Sequence, residues 1–156
     1  MENMILKRIL TIASTSIFLY HVYAMLHLWS DIPPRIAIHF SDGEPDEWGT
    51  KHVLFIMPIV SILFWLLLQK VSSKPEIFNY IHLTEENKKI QYSRAEKVLL
   101  LVQNLGFMAL IFANEAFLGS AAGMETSFPF SIAIILLGIC FIAPICLFVW
   151  ALTLKH

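Results

Sequence analysis

The chain has 156 residues and a formal net charge of −1, with 57% apolar and only 15% charged residues, and its mean hydropathy is +0.67. Soluble domains carry about 45–50% apolar and ~25% charged residues, and a fold of this size has too much surface per volume to hide the excess. That excludes a water-soluble globule, a disordered chain and a disulfide scaffold, and it gives no reason to expect nucleic acid as a partner. The lipid bilayer is the expected surrounding. The fold expected is all-α, a bundle of four transmembrane helices with a short structured extracellular loop, forming one integral membrane domain over residues 1–156.

In chain order, Ile9 to Ser30 is free of Asp, Glu, Lys and Arg over 22 positions, enough for a helix over about 5–30. Lys7 and Arg8 precede it as in a signal peptide. The run exceeds the ~7–15 residues of a signal core, and no small-x-small cleavage site follows, so it reads as a retained helix. Ser16, Tyr20, Tyr23, His27 and Ser30 recur at steps of four and three, which makes one helical stripe. Pro33-Pro34 then stops the helix and imposes extended backbone.

The outer loop, 31–50, is the most specified stretch. Ile36, Ile38 and Phe40 alternate with Arg35, Ala37 and His39, which is strand periodicity. Ser41-Asp42-Gly43 and Pro45-Asp46 are turn signals, and Thr50 can cap the next helix. The reading is a folded lid over the outer helix ends. Its carboxylates, Asp42, Glu44, Asp46 and Glu47, stand near His39 and His52 in sequence. A divalent metal is conceivable there, with His39, Asp46 and His52 as the weak candidates, but the spacing fits no known cage. The simpler reading closes a turn through Asp46 and bonds His39 to backbone, and no cofactor is then expected.

The second helix is expected over 51–70 and an inner loop over 71–84. The third is expected over 85–118 with Thr84 as its cap, and the fourth over 127–153. Gln103 and Asn104 precede Asn114 and Glu115 by eleven residues, or three turns, so the two pairs share a face about 16 Å apart. Polar groups in hydrocarbon usually point inward, so this stripe and that of the first helix are expected to face each other or a common cleft. Gln103, Asn104 and Tyr20 read as interhelical glue, and His21 as a satisfied core histidine. His27, Asn114 and Glu115 are the candidate polar cleft: a Glu115–His27 pair beneath the lid could bind a cation, take up a proton or recognise a peptide amine. An exposed interfacial carboxylate is the equal alternative. Cys140 and Cys146, six residues apart on one helix, cannot bridge one another and read as core residues. No nucleophile–base motif is present.

Nine of the 11 Lys and Arg residues, among them Lys155, flank the same ends of the four spans, leaving only Arg35 and Lys51 at the other ends. Both termini are therefore expected in the cytoplasm.

Ile36-Ala-Ile-His-Phe-Ser-Asp-Gly-Glu-Pro-Asp-Glu-Trp-Gly-Thr-Lys51 resembles the signature of a bacterial membrane domain of uncharacterised function. That signature has the form I-P-x-H-F, G-x-P-D, then G-x-K, between two hydrophobic helices. The match covers His39, Phe40, Gly43, Pro45, Asp46, Gly49 and Lys51. It departs at Ala37, where the pattern has proline, and at Ser41, where asparagine is usual. The domain is similar to the N-terminal part of the immunity proteins that protect bacilli from the sporulation-delaying toxin peptide. Phe78-Asn-Tyr80, Thr84-Glu-Glu-Asn87 and Gln91-Tyr92 are similar to a second segment of those proteins. The resemblance implies a multi-pass protein of the bacterial cell membrane, of toxin-peptide immunity or envelope-stress type, with a peptide toxin or another membrane protein as partner. The alternatives are a membrane enzyme using His39, Asp46 and Glu115, and a small transporter component or accessory subunit.

Overall fold

The computed structural model describes residues 2–42 and 44–154; Gly43 and Lys155 lie outside the described residues. Four helices, α1 (Glu2–Leu28), α2 (Ile56–Ser72), α3 (Lys88–Ala121) and α4 (Ser127–Leu152), are joined by an antiparallel hairpin of β1 (Arg35–Ser41) and β2 (Glu44–Thr50) and by two short 3-10 turns. α1, α3, α4 and the continuous run Lys51–Ser72, in which a 3-10 turn leads into α2, are each long and apolar enough to cross a membrane. The strand alternation at Ile36–Phe40 is thus real sheet, and the fold is mostly helical rather than all-α.

Helix ends differ from expectation by up to five residues, each for a local reason. α1 stops at Leu28, whose carbonyl accepts from the amides of Asp31 and Ile32 in a turn that delivers the chain to Pro33. After Thr50, whose hydroxyl accepts from the His52 amide at 3.3 Å, residues Lys51–Phe55 wind as a tight 3-10 turn before α2 begins. Thr84 does cap, but a turn rather than the helix itself. Its Oγ1 accepts from the Asn87 amide at 3.3 Å, and α3 starts just beyond, at Lys88.

α3 is the central element. It packs against each of the other three helices, which hardly touch one another. Gly106 lets α2 come close: a Cβ there would lie 2.7 Å from Cε1 of Phe64, so the aromatic ring rests on bare backbone. Asn104 ties three helices together. Its Oδ1 accepts from Ser14 Oγ of α1 at 3.0 Å and from Trp65 Nε1 of α2 at 3.4 Å, while its amide donates to Leu100 O at 2.9 Å. Gln103 donates to Trp65 O at 2.9 Å. Both are the interhelical glue read from the sequence. α4 is apolar on nearly every face and buries only Ala133 and Ala151 fully, leaving Phe128 and Phe141 more than 70% exposed, as a lipid-facing helix would.

Along α1 and α3 the interior is layered. Above Asn104 comes an apolar cluster of Phe107, Met108 and Ile111 with Ile17 and Phe18. A polar layer follows. A second apolar cluster of Ala24, Met25, Ile32, Ile36, Leu54 and Leu118 then seals the hairpin to the helix ends.

At the opposite end, the second segment of the resemblance folds into one unit. Gln91 Nε2 donates to Ile81 O at 2.9 Å, Asn87 Nδ2 donates to His82 O at 2.7 Å, and the Tyr80 and Tyr92 rings pack tilted with their centres 4.9 Å apart. Burial raises the Tyr80 pKa, with Tyr92 and Glu76 adding to it.

Candidate functional site

Lys51 holds the hairpin down. Its ammonium donates to Trp29 O at 2.8 Å and Ile32 O at 3.1 Å, and lies 4.5 Å from the centre of the Trp29 ring. A cation is thereby placed on the carbonyl end of α1, where the helix dipole favours it. Gly49 makes room within the hairpin for Ile38, since a Cβ there would fall 2.9 Å from Ile38 Cγ2. Ile36 inserts into the apolar cluster below.

The rest of the hairpin faces away from that core. His39 Nδ1 and Asp46 Oδ1 bond at 2.6 Å with both side chains exposed, at a point where the strand register is irregular. Asp46 therefore pairs with the His39 ring, where the sequence suggested a turn closed by Asp46 and a backbone bond for His39. Asp42, at the hairpin tip, adopts a positive φ of 51° that short polar side chains tolerate. Asp42, Glu44, Pro45, Asp46 and Glu47 are all exposed. Phe40 leans over the mouth between α2, α3 and α4, where it lines a cavity of about 290 Å³ with Met57, Phe117 and Phe130.

His52 does not join His39 and Asp46. Its Nδ1 bonds Thr50 Oγ1 at 2.7 Å and its ring stands edge-on to Trp29. Among the described residues no group of three or more His, Cys, Asp or Glu side chains is placed to hold a metal ion.

The polar layer beneath the hairpin differs from the expected cleft. Glu115 pairs with Nδ1 of His21, not with His27. Asn114 Nδ2 bonds Nε2 of the same imidazole at 2.9 Å and donates to Leu54 O at 2.9 Å. His27 sits on the exposed face of α1, its ring stacked on Tyr23. The stripe of Ser16, Tyr20, Tyr23 and His27 points outward as a whole, with Tyr20 and Tyr23 more than 60% exposed. The inward stripe is Ser14, Phe18, His21 and Met25, at the same steps of four and three.

His21 is the residue that the sequence undervalued. α1 ends two residues sooner and α3 three residues later than expected, so Glu115 lies about 9 Å below the end of its helix. His21 lies about 10 Å below the end of its own, and the two share a level.

The family model described as a domain of unknown function (DUF1648) matches residues 15–62, from the middle of α1 through the hairpin into α2. No curated protein and no solved structure matches the chain. Four apolar helices and an uncharacterised domain fit a multi-pass membrane protein.

In the connection between α3 and α4, Glu125 accepts from the Ser127 amide at 2.7 Å. Hydrogen bonds from the Ser127 amide first, then from the Ser127 side chain and the Thr126 amide, lower its pKa, so its carboxylate secures the start of α4.

Proposed function

We propose that the chain is a bacterial multi-pass membrane protein of toxin-peptide immunity or envelope-stress type, which senses or sequesters a peptide at the outer face. The observation that carries this reading is the juxtaposition at the hairpin end. The hairpin carries four exposed carboxylates, Asp42, Glu44, Asp46 and Glu47, together with Phe40, which lines a cavity with Met57, Phe117 and Phe130. A cationic amphipathic peptide presents the complementary pair of surfaces, charge to the hairpin and apolar face to the cavity. The enzyme alternative draws less support, because His39 and Asp46 bond one another on the hairpin while Glu115 is engaged with His21 in the interior.

In sensitive bacterial cells, production of the chain is expected to raise survival against at least one member of a panel of secreted amphipathic peptides. Replacing Asp42, Glu44, Asp46 and Glu47 by Asn and Gln should reduce that protection, more so at low salt, since the Debye length is about 8 Å at physiological ionic strength. No protection against any peptide by protein present in the membrane would refute the immunity reading. Protection unchanged in the neutralised variant would remove charge as its basis.

The reading requires the hairpin outside and both termini inside. An impermeant maleimide should label a cysteine placed at Glu44 or Thr126 in intact cells and leave one at Lys74 or Lys88 unlabelled. The reverse pattern would put the hairpin in the cytoplasm and end the proposal.

A further inference from the structure

The polar layer fixes a protonation state by geometry alone. The Leu54 carbonyl can only accept, so the group of Asn114 that faces it at 2.9 Å is the amide nitrogen. That nitrogen carries two protons, and its second neighbour, at 2.9 Å, is Nε2 of His21. Nε2 must therefore be bare. The imidazole proton is on Nδ1, where it is donated to Glu115.

Adding a proton to Nε2 breaks this pattern. Two donors would then face each other across the 2.9 Å contact. Turning the Asn114 amide over presents its oxygen to the new N–H, but the same oxygen then meets the Leu54 carbonyl, acceptor against acceptor. A charged His21 and the Asn114–Leu54 bond exclude one another. Leu54 is fully buried in the cluster that seats Ile32 and Ile36, so its carbonyl is the tie between this layer and the base of the hairpin.

We propose that His21, Asn114 and Glu115 form a proton-binding site whose occupancy is read by the hairpin through Leu54. With Nε2 bare, the hairpin is latched. A proton from the aqueous phase on Nε2 is held as an imidazolium against the Glu115 carboxylate, the amide turns, and the latch is released. By reciprocity, anything that lifts the hairpin favours proton uptake. The site is insulated by the two apolar clusters, one on each side. The titratable groups near it are few: Glu115 comes from α3, and on the 3-10 turn Lys51 and His52 are engaged one layer out, with Trp29, Ile32 and Thr50. This inference does not depend on the peptide reading.

The test uses the full chain in phosphatidylcholine nanodiscs, with Cys140→Ser and Cys146→Ser, and with His39→Gln and His52→Gln so that neither hairpin-side histidine titrates. A spin label at position 41 (Ser41→Cys) reports hairpin mobility, and nitrogen NMR of labelled histidine, with His21→Gln for assignment, reports the tautomer. From about pH 8 to 4, a range that brackets ordinary histidine and carboxylate titration, the mobile fraction should rise roughly five-fold or more. His21 should pass from the Nδ1–H form to the imidazolium in step with it. His21→Gln should abolish the transition, and Asn114→Leu should leave the hairpin mobile at every pH. An Nε2–H tautomer near neutrality, a mobility that ignores pH, or an unchanged transition in His21→Gln would each overturn the proposal.

Discussion

Replacing His21 by leucine while Glu115 stays will destabilise the helix assembly by about 2–4 kcal/mol, because a largely buried carboxylate is left without the N–H that now bonds it, a loss that costs more for a charged group than for a neutral one. The imidazole is 1% exposed and the carboxylate 21%, so the carboxylate would lose its nearest donor with little water to replace it. Asn114 would keep its bond to Leu54 and lose the one to the ring. Replacing both members, His21→Leu with Glu115→Met, is expected to recover stability to within about 1 kcal/mol of the parent, because paired apolar substitutes remove both desolvation costs. Helix content followed by circular dichroism through a denaturant titration in mixed micelles would measure all three proteins. If the single substitution costs less than the double one, the pair stabilises the fold as a pair. The expected order implies that it is kept for what it does rather than for stability.

Helices in lipid hide such a pair from sequence for a physical reason. The four spans are legible because hydrocarbon forbids charge over some twenty residues, a constraint that survives any error in detail. The face of a helix is not constrained in that way. α1 carries two polar stripes with identical steps, Ser16–Tyr20–Tyr23–His27 and Ser14–Phe18–His21–Met25. The sequence favours the first because it holds more polar groups. The structure turns it outward, where tyrosines suit the interfacial belt, and buries the second, because Ser14 finds Asn104 and His21 finds Glu115. Partners ninety or more residues away make that choice, and periodicity within one helix cannot see them. On α3 the polar residues are legible, since Gln103, Asn104 and Asn114 are all buried and bonded across helices.

The hairpin shows the converse. Its strands and turn follow from alternation and turn residues, and its docking follows from Ile36 on the inward register. What sequence cannot supply is the division of labour among the residues of the signature. Lys51 seats the hairpin, Gly49 makes room for Ile38, Phe40 lines the cavity, and His39 and Asp46 bond to each other in the open.

That division makes Lys51→Met the sharpest test of the hairpin as a docked lid. Methionine keeps the unbranched stem and deletes the charge, leaving the Trp29 and Ile32 carbonyls without the donor that now reaches both at 2.8 and 3.1 Å. Hydrogen bonds from a charged donor contribute roughly 1.5–3 kcal/mol. The contact with the Trp29 ring adds about 0.5–1 kcal/mol, and the end of the α1 dipole a few tenths more. These overlap, so a net loss of about 2–3 kcal/mol is expected. It should fall on the hairpin first, appearing as protease cleavage within residues 35–50 under conditions that spare the parent. Lys51→Arg should restore only part of the protection, because a planar fork cannot set one point charge between two carbonyls and above an indole. The exposed His39–Asp46 pair gives the contrast. Pairs of that kind contribute about 0–1 kcal/mol, so His39→Ala should leave the hairpin as resistant to protease as the parent. A Lys51→Met protein equally resistant and equally stable would show that the apolar seat of Ile32, Ile36 and Leu54 holds the hairpin without the lysine.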